Sequence, residues 1–177
     1  MRDQVQQAVL TDLRVMLVGP KGHGLSLLRS VLAIAGVTRA TMVERPDRAL
    51  ELLRVEHFGA VFCEDGLAAG EMSFTVAVRR ARAMLDPMIP VFVLHDRARR
   101  RDVEAARDLG ATDVLTMPIS PRTVATKLKS ALEAPRPFIL APDFFGPDRR
   151  ARSREAFAGS DRRVRVPRKS RVDFSHL

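Results

Sequence analysis

The sequence predicts an α/β protein: a doubly wound, five-stranded parallel sheet in a three-layer sandwich, followed by a largely irregular basic C-terminal tail. Three observations predict it. Several uniformly apolar runs, Ala60–Cys63 among them, are too short for helices and suit strands buried on both faces. Between the runs, apolar residues recur at helical spacing. Strand and helix patterns then alternate five times, and right-handed crossovers turn such alternation into helices on both faces of a parallel sheet.

The elements follow in order. Residues 1–12 form a polar lead-in. Leu13–Val18 reads as the first strand, stopped by Gly19-Pro20, and Leu25, Leu28, Val31, Leu32 and Ala35 mark a helix that Gly36 ends. Ala40–Val43 is a short second strand. Pro46 suits the first turn of the next helix, where its missing N–H costs nothing, and Leu50, Leu53 and His57 continue it. Strand three, Ala60–Cys63, is closed by Glu64, Asp65 and Gly66. A third helix is expected over Glu71–Leu85, with Phe74, Val78, Ala81 and Leu85 inward. Ile89–Leu94 is strand four, Ala98–Leu109 helix four, Asp113–Thr116 strand five. Ser120-Pro121 supplies an N-cap and a first-position proline for helix five, lined by Val124, Leu128 and Leu132. Residues 13–134 make one domain, and Ala134-Pro135 opens a tail over 135–177.

Composition narrows the function. No apolar run is long enough to span a bilayer and the N-terminus has no signal-peptide core, so a cytoplasmic chain without a membrane role is expected. The single cysteine, Cys63, excludes an internal disulfide and sits in an apolar run, which marks it as a small buried residue. The net charge of +9 is uneven: residues 1–134 hold 19 Lys/Arg against 16 Asp/Glu, whereas 135–177 hold 11 against 5. That asymmetry points to an interaction segment. The histidines lack any short ligand spacing, so neither a metal nor another cofactor is expected. The Gly19–Gly24 stretch fails as a phosphate cradle, because Gly-Lys-Ser/Thr is absent and Leu27 stands at the third glycine position of a dinucleotide fingerprint.

With its element order, Gly110-Ala-Thr-Asp113 and the Met117-Pro118-Ile119 turn, the chain resembles the receiver domain of bacterial two-component response regulators over about residues 12–134. The resemblance implies a site at the C-terminal strand ends. There an aspartate accepts a phosphoryl group, two acids hold Mg²⁺, and a hydroxyl and a lysine contact the phosphoryl oxygens. Matched residue by residue, the acid pair falls on Gly19 and Pro20, the acceptor on Glu64, the hydroxyl on His95 and the lysine on Met117. A register shifted by one makes Asp65 the acceptor. In either register the charge of a phosphoryl transition state is uncompensated. The resemblance therefore implies a non-catalytic, degenerate pseudo-receiver. Glu64 admits two readings, a mimic of phosphoaspartate or an acid tolerated at a lost site, with Lys21 or His95 as candidate partners.

Two features suggest partner contacts. Arg97, Arg99, Arg100 and Arg101 crowd the start of helix four, where cations oppose the macrodipole. The tail repeats Phe-x-Gly-x-Asp-Arg-Arg-x-Arg, first as Phe144-Phe145-Gly146-Pro147-Asp148-Arg149-Arg150 and again thirteen residues on from Phe157 through Arg162 and Arg163. Gly-Pro-Asp-Arg-Arg tails of this kind resemble those of some alphaproteobacterial receiver proteins. Each copy sets an apolar anchor beside an arginine fork able to grip carboxylates or phosphates. The expected function is a phosphorylation-independent signalling adaptor in a bacterial two-component or phosphorelay pathway. Its expected partner is another signalling protein, or its own domain through the tail, with a homodimer left open. Two alternatives stand: a nucleic-acid binder using the tail and Arg97–Arg101, which the aspartate in each repeat disfavours, and a phosphorelay receiver with an unorthodox site.

Overall fold

Along the first strand, Val15 and Leu17 face one layer of the molecule and Met16 and Val18 the other, as the two-residue strand period requires. All four are fully buried, which is why the run contains no polar residue. The computed structural model describes residues 10–81, 84–141, 143–148 and 164–166. In chain order its elements are β1 (Arg14–Val18), α1 (His23–Ile34), β2 (Arg39–Val43), α2 (Pro46–Val55), β3 (Ala60–Glu64), β4 (Ala68–Ala69), β5 (Met72–Ser73), α3 (Phe74–Arg80), β6 (Val91–His95), α4 (Arg100–Asp108), β7 (Asp113–Thr116), α5 (Pro121–Glu133), β8 (Phe138–Ala141), β9 (Phe144–Pro147) and β10 (Val164–Val166).

The main sheet has the order β2-β1-β3-β6-β7, with every pair parallel. Helices α1 and α5 cover one face, where Phe62 and Phe92 stack with ring centroids 4.9 Å apart. Helices α2, α3 and α4 cover the other, around Met16, Val61, Val91 and Val93. This is the expected doubly wound sandwich. Local signals also work as expected: Gly36 ends α1 at φ +97, and Ser120 caps α5 by accepting from the Thr123 N–H at 3.1 Å.

Two regions differ from the sequence expectation. The third helix is short. Met72 and Ser73 pair with Ala68 and Ala69 in the β4–β5 hairpin, and Ser73 caps a helix that begins only at Phe74. It stops at Arg80, because Arg79 turns inward and donates to the carbonyls of Pro87 and Ile89 at 2.8 and 2.7 Å. The chain must then run back beside the helix instead of extending it. Leu85, expected on the inner face, is consequently 36% exposed.

The described part of the tail is also not irregular. Strands β8, β9 and β10 form a separate antiparallel sheet in the order β10-β8-β9. Tertiary packing makes these strands where local pattern does not. Phe138 and Ile139 are buried against the body while the neighbouring Leu140 is 48% exposed, so the run shows neither clean alternation nor full burial.

Candidate functional site

Strands β1, β3, β6 and β7 carry Gly19, Glu64, His95 and Met117 to one end of the sheet. Glu64, His95 and Met117, with His23, Asp65, Asp96 and Pro118, border an open cleft of about 850 Å³ there. The sequence-predicted positions of the site therefore converge in space. The Met117-Pro118 bond that closes the cleft is cis.

The glycine at position 19 has a packing reason. A Cβ there would stand 3.1 Å from both Cγ and Cδ of Glu64 and 3.0 Å from Leu25 Cδ1, at a backbone φ of +154. Cβ atoms on Gly22 and Gly24 would come 3.6 and 3.8 Å from Glu64 Oε1. The glycine-rich loop thus wraps the Glu64 side chain at the start of α1. Burial, then the nearby Asp96 charge, pushes the Glu64 carboxyl above the usual carboxylate range.

The two other charged groups once paired with Glu64 in the sequence reading go elsewhere. Lys21 binds Glu44 at 2.8 Å, and its pKa is raised by that hydrogen bond and charge. His95 Nε2 lies 3.4 Å from Asp65 Oδ2, while its Nδ1 accepts from the Arg97 N–H at 3.2 Å. Nε2 is therefore the ring nitrogen that faces Asp65. Glu64 is left against glycines, with the negative Asp96 for company. Where the resemblance implies a phosphate-gripping lysine, Met117 lines the cleft, partly buried on the α1–α5 layer.

Magnesium does not fit these residues. Gly19 and Pro20 offer no side-chain ligand, Glu64 occupies the space beside them, and no three metal-capable side chains converge among the described residues. Cys63, one residue before Glu64, is buried, and desolvation pushes its thiol up to about 12. It is a packing residue without thiolate character. No helix among the described residues is long and apolar enough to cross a membrane.

The basic cluster lies at the rim. Arg97, Arg99, Arg100 and Arg101 are exposed. Arg100 binds Glu104 at 2.8 Å, and Asp102 accepts from the Arg99 N–H at 2.8 Å, which holds the Asp102 carboxyl below its ordinary value and offsets the misplaced cations. In the tail, Phe145 is half-buried with its ring 5.3 Å from that of Phe138, and Phe144 is half-buried beside Gly146. Arg149, Arg150, Phe157, Arg162 and Arg163 lie outside the described residues.

A second constellation, at the opposite end of the sheet, escaped the sequence reading. Arg79 is 3% exposed. It donates to the carbonyls of Gly110 (2.9 Å), Pro87 and Ile89, and its guanidinium carbon sits 5.2 Å above the Phe138 ring. Gly110 and Gly146 meet backbone to backbone: a Cβ on Gly146 would lie 2.9 Å from Gly110 Cα, and one on Gly110 3.0 Å from the Phe145 carbonyl. Arg136 completes the seam by donating to the Thr112 carbonyl. The glycine of the first tail repeat is therefore the point where the hairpin touches the body. Nothing local marks Arg79, which stands beside Arg80 in a pair that reads as solvated surface.

No protein-family model matches the chain, and no curated protein matches it. Solved structures do. A response regulator from Desulfuromonas acetoxidans superimposes with a TM-score of 0.59 at 20% identity, over 68% of this chain and 97% of its own. The chemotaxis response regulator CheY4 of Vibrio cholerae gives 0.54 at 18%, over 68% and 99%. The receiver domain of a Pseudomonas aeruginosa sensor histidine kinase, solved with magnesium in its active-site cleft, gives 0.53 at 19%, over 66% and 95%. At such identities the likeness establishes the fold: residues of this chain form a CheY-like receiver fold, and about a third of the chain lies beyond what these structures span.

Proposed function

We propose that the protein is a phosphorylation-independent adaptor of two-component-type signalling: a receiver body over residues 13–134 that works through protein contacts, with 135–177 as its appended contact segment. The observation that carries this reading is the wrapping of Glu64 by Gly19, Gly22 and Gly24. Where receiver chemistry needs a metal ion and a lysine, this chain supplies packed glycine and Met117, so the family's means of meeting charge on a phosphoryl group are missing. The receiver neighbours support a signalling role, and the absence of a side-chain ligand at Gly19 and Pro20 supports independence from phosphorylation. The single buried cysteine is consistent with work in a reducing bacterial cytoplasm. Arg97, Arg99 and the Phe144–Phe145 hairpin are the surfaces assigned to partner contact.

The test is intact-mass spectrometry after incubation with acetyl phosphate and Mg²⁺. The expected spectrum is unchanged, and a stoichiometric adduct mapped to Glu64 or Asp65 would overturn the reading.

A further inference from the structure

Where the hairpin closes onto the body it leaves a cavity of about 260 Å³ between α5 and the start of β7. At roughly 30 Å³ per water this is the space of about nine water molecules, or of one small organic molecule. Its floor is aromatic, formed by Phe92 and Phe138, which are 1% and 2% exposed, and Ala131 on α5 forms its side. Its charged groups are Lys127, Arg136 and Asp113, with Thr112, Thr126 and Ser130 as further polar lining and Pro147 contributed by the hairpin. The body supplies most of the wall and the tail supplies Arg136, Phe138 and Pro147, so the cavity belongs to this chain and not to the receiver fold alone.

The charge in that wall is unbalanced. Asp113 is already committed: Lys127 donates to its Oδ2, the Val114 N–H donates to its Oδ1 at 2.9 Å, and Arg107 lies 3.7 Å away. Arg107 also keeps a buried Nε without a hydrogen-bond partner among the described residues. Among the described residues that line the cavity, Lys127 and Arg136 face the single carboxylate of Asp113, which leaves one cation in surplus. Consistently, burial first and Arg107 second push the Arg136 guanidinium below its ordinary value. An aromatic floor under a surplus guanidinium is the usual make-up of a site for a flat molecule with one negative group.

We propose that this seam cavity binds a small organic monoanion, an aromatic carboxylate in size and chemistry, with the apolar body on Phe92 and Phe138 and the anionic group at Arg136 and Lys127. Such a ligand touches body and hairpin together. It therefore binds the docked arrangement better than an undocked one and shifts the population toward docking by mass action. The site does not depend on the adaptor reading, since neither Glu64 nor the cleft takes part.

The probe is 4-fluorobenzoate, titrated into the full chain and followed by fluorine NMR. Saturable binding is expected, with slower hydrogen exchange at residues 138–141 and 144–146 in its presence. Ala131→Met fills the cavity without touching a charge and should abolish binding while circular dichroism stays native. Arg136→Gln should weaken binding by about tenfold, the loss of one charge-assisted hydrogen bond. Absence of saturable binding overturns the proposal, as does undiminished binding to a folded Ala131→Met variant. Equal or tighter binding of the cationic 4-fluorobenzylamine overturns the assigned charge.

Discussion

At the C-terminal end of the sheet, Gly19, Glu64, His95 and Met117 surround an open cleft in which His95 and Asp65 lie 3.4 Å apart. At the opposite end, Arg79, Gly110, Phe138 and Gly146 meet with no room for an added Cβ between the two glycines. The same fold carries both. The cleft is open to water, so its polar groups need few protein partners and its residues can change without leaving buried orphans. Around Arg79 the seam is closely packed, so the carbonyls there must find donors inside the protein, and Arg79 supplies three of them. This chain holds its tightest backbone contact at the second end, where the tail attaches.

That contrast predicts unequal sensitivity to mutation. Arg79→Met should have the largest effect. It keeps much of the volume but strands the Gly110, Pro87 and Ile89 carbonyls, and each buried unpaired group costs about 1–3 kcal/mol. A loss of roughly 3–5 kcal/mol is expected in urea unfolding, with the midpoint falling at constant slope. A loss below about 1 kcal/mol would mean that water reaches the seam, and the contrast would fail.

Gly146→Ala tests the docking of the hairpin more locally. Its Cβ meets Gly110 Cα at 2.9 Å, a backbone atom that cannot swing aside. The expected outcome is faster amide exchange at residues 138–141 and 144–146 and a loss of about 1–3 kcal/mol, the usual cost of overpacking. The cleft should be untouched, so exchange at β3 should not change. Gly110→Ala should be worse, because its φ of +93 adds left-handed strain of about 1–2 kcal/mol to the contact at 3.0 Å.

The smallest effect belongs to the cleft. Because the folded-state pKa of Glu64 is raised, the fold binds more protons than the unfolded chain between the two values. Stability from this group is therefore greatest in acid and falls as pH rises through the carboxylate range toward neutrality. Glu64→Gln removes the charge and should flatten that fall. At neutral pH it should be neutral or slightly stabilising, by less than about 1 kcal/mol after solvent screening. Thermal melts of both proteins across the acid range measure it, and a destabilised Glu64→Gln at neutral pH would show that the carboxylate holds the glycine loop by its charge.

Much of the body was legible in the residues themselves. Burial on both faces admits only apolar side chains, so Val15–Val18, Ala60–Cys63 and Val91–Leu94 announce strands without reference to their neighbours. The helix stop at Gly36 and the helix start at Ser120-Pro121 are equally local, since each is a matter of a few consecutive dihedrals and a cap hydrogen bond. The convergence of Gly19, Glu64, His95 and Met117 follows from strand order. That Gly19 makes room for the Glu64 side chain does not, because the contact crosses from β1 to β3.

Only the tertiary structure decided the length of α3, the strands of the tail and the role of Arg79. Each depends on groups far along the chain: Arg79 binds Gly110, and Gly110 abuts Gly146. A periodicity reports which face of one element is dry, and it carries no information about which distant carbonyl will need a donor. A buried arginine and a solvated one look alike in sequence, and what separates them here is the set of three carbonyls and one aromatic ring that folding brings around Arg79.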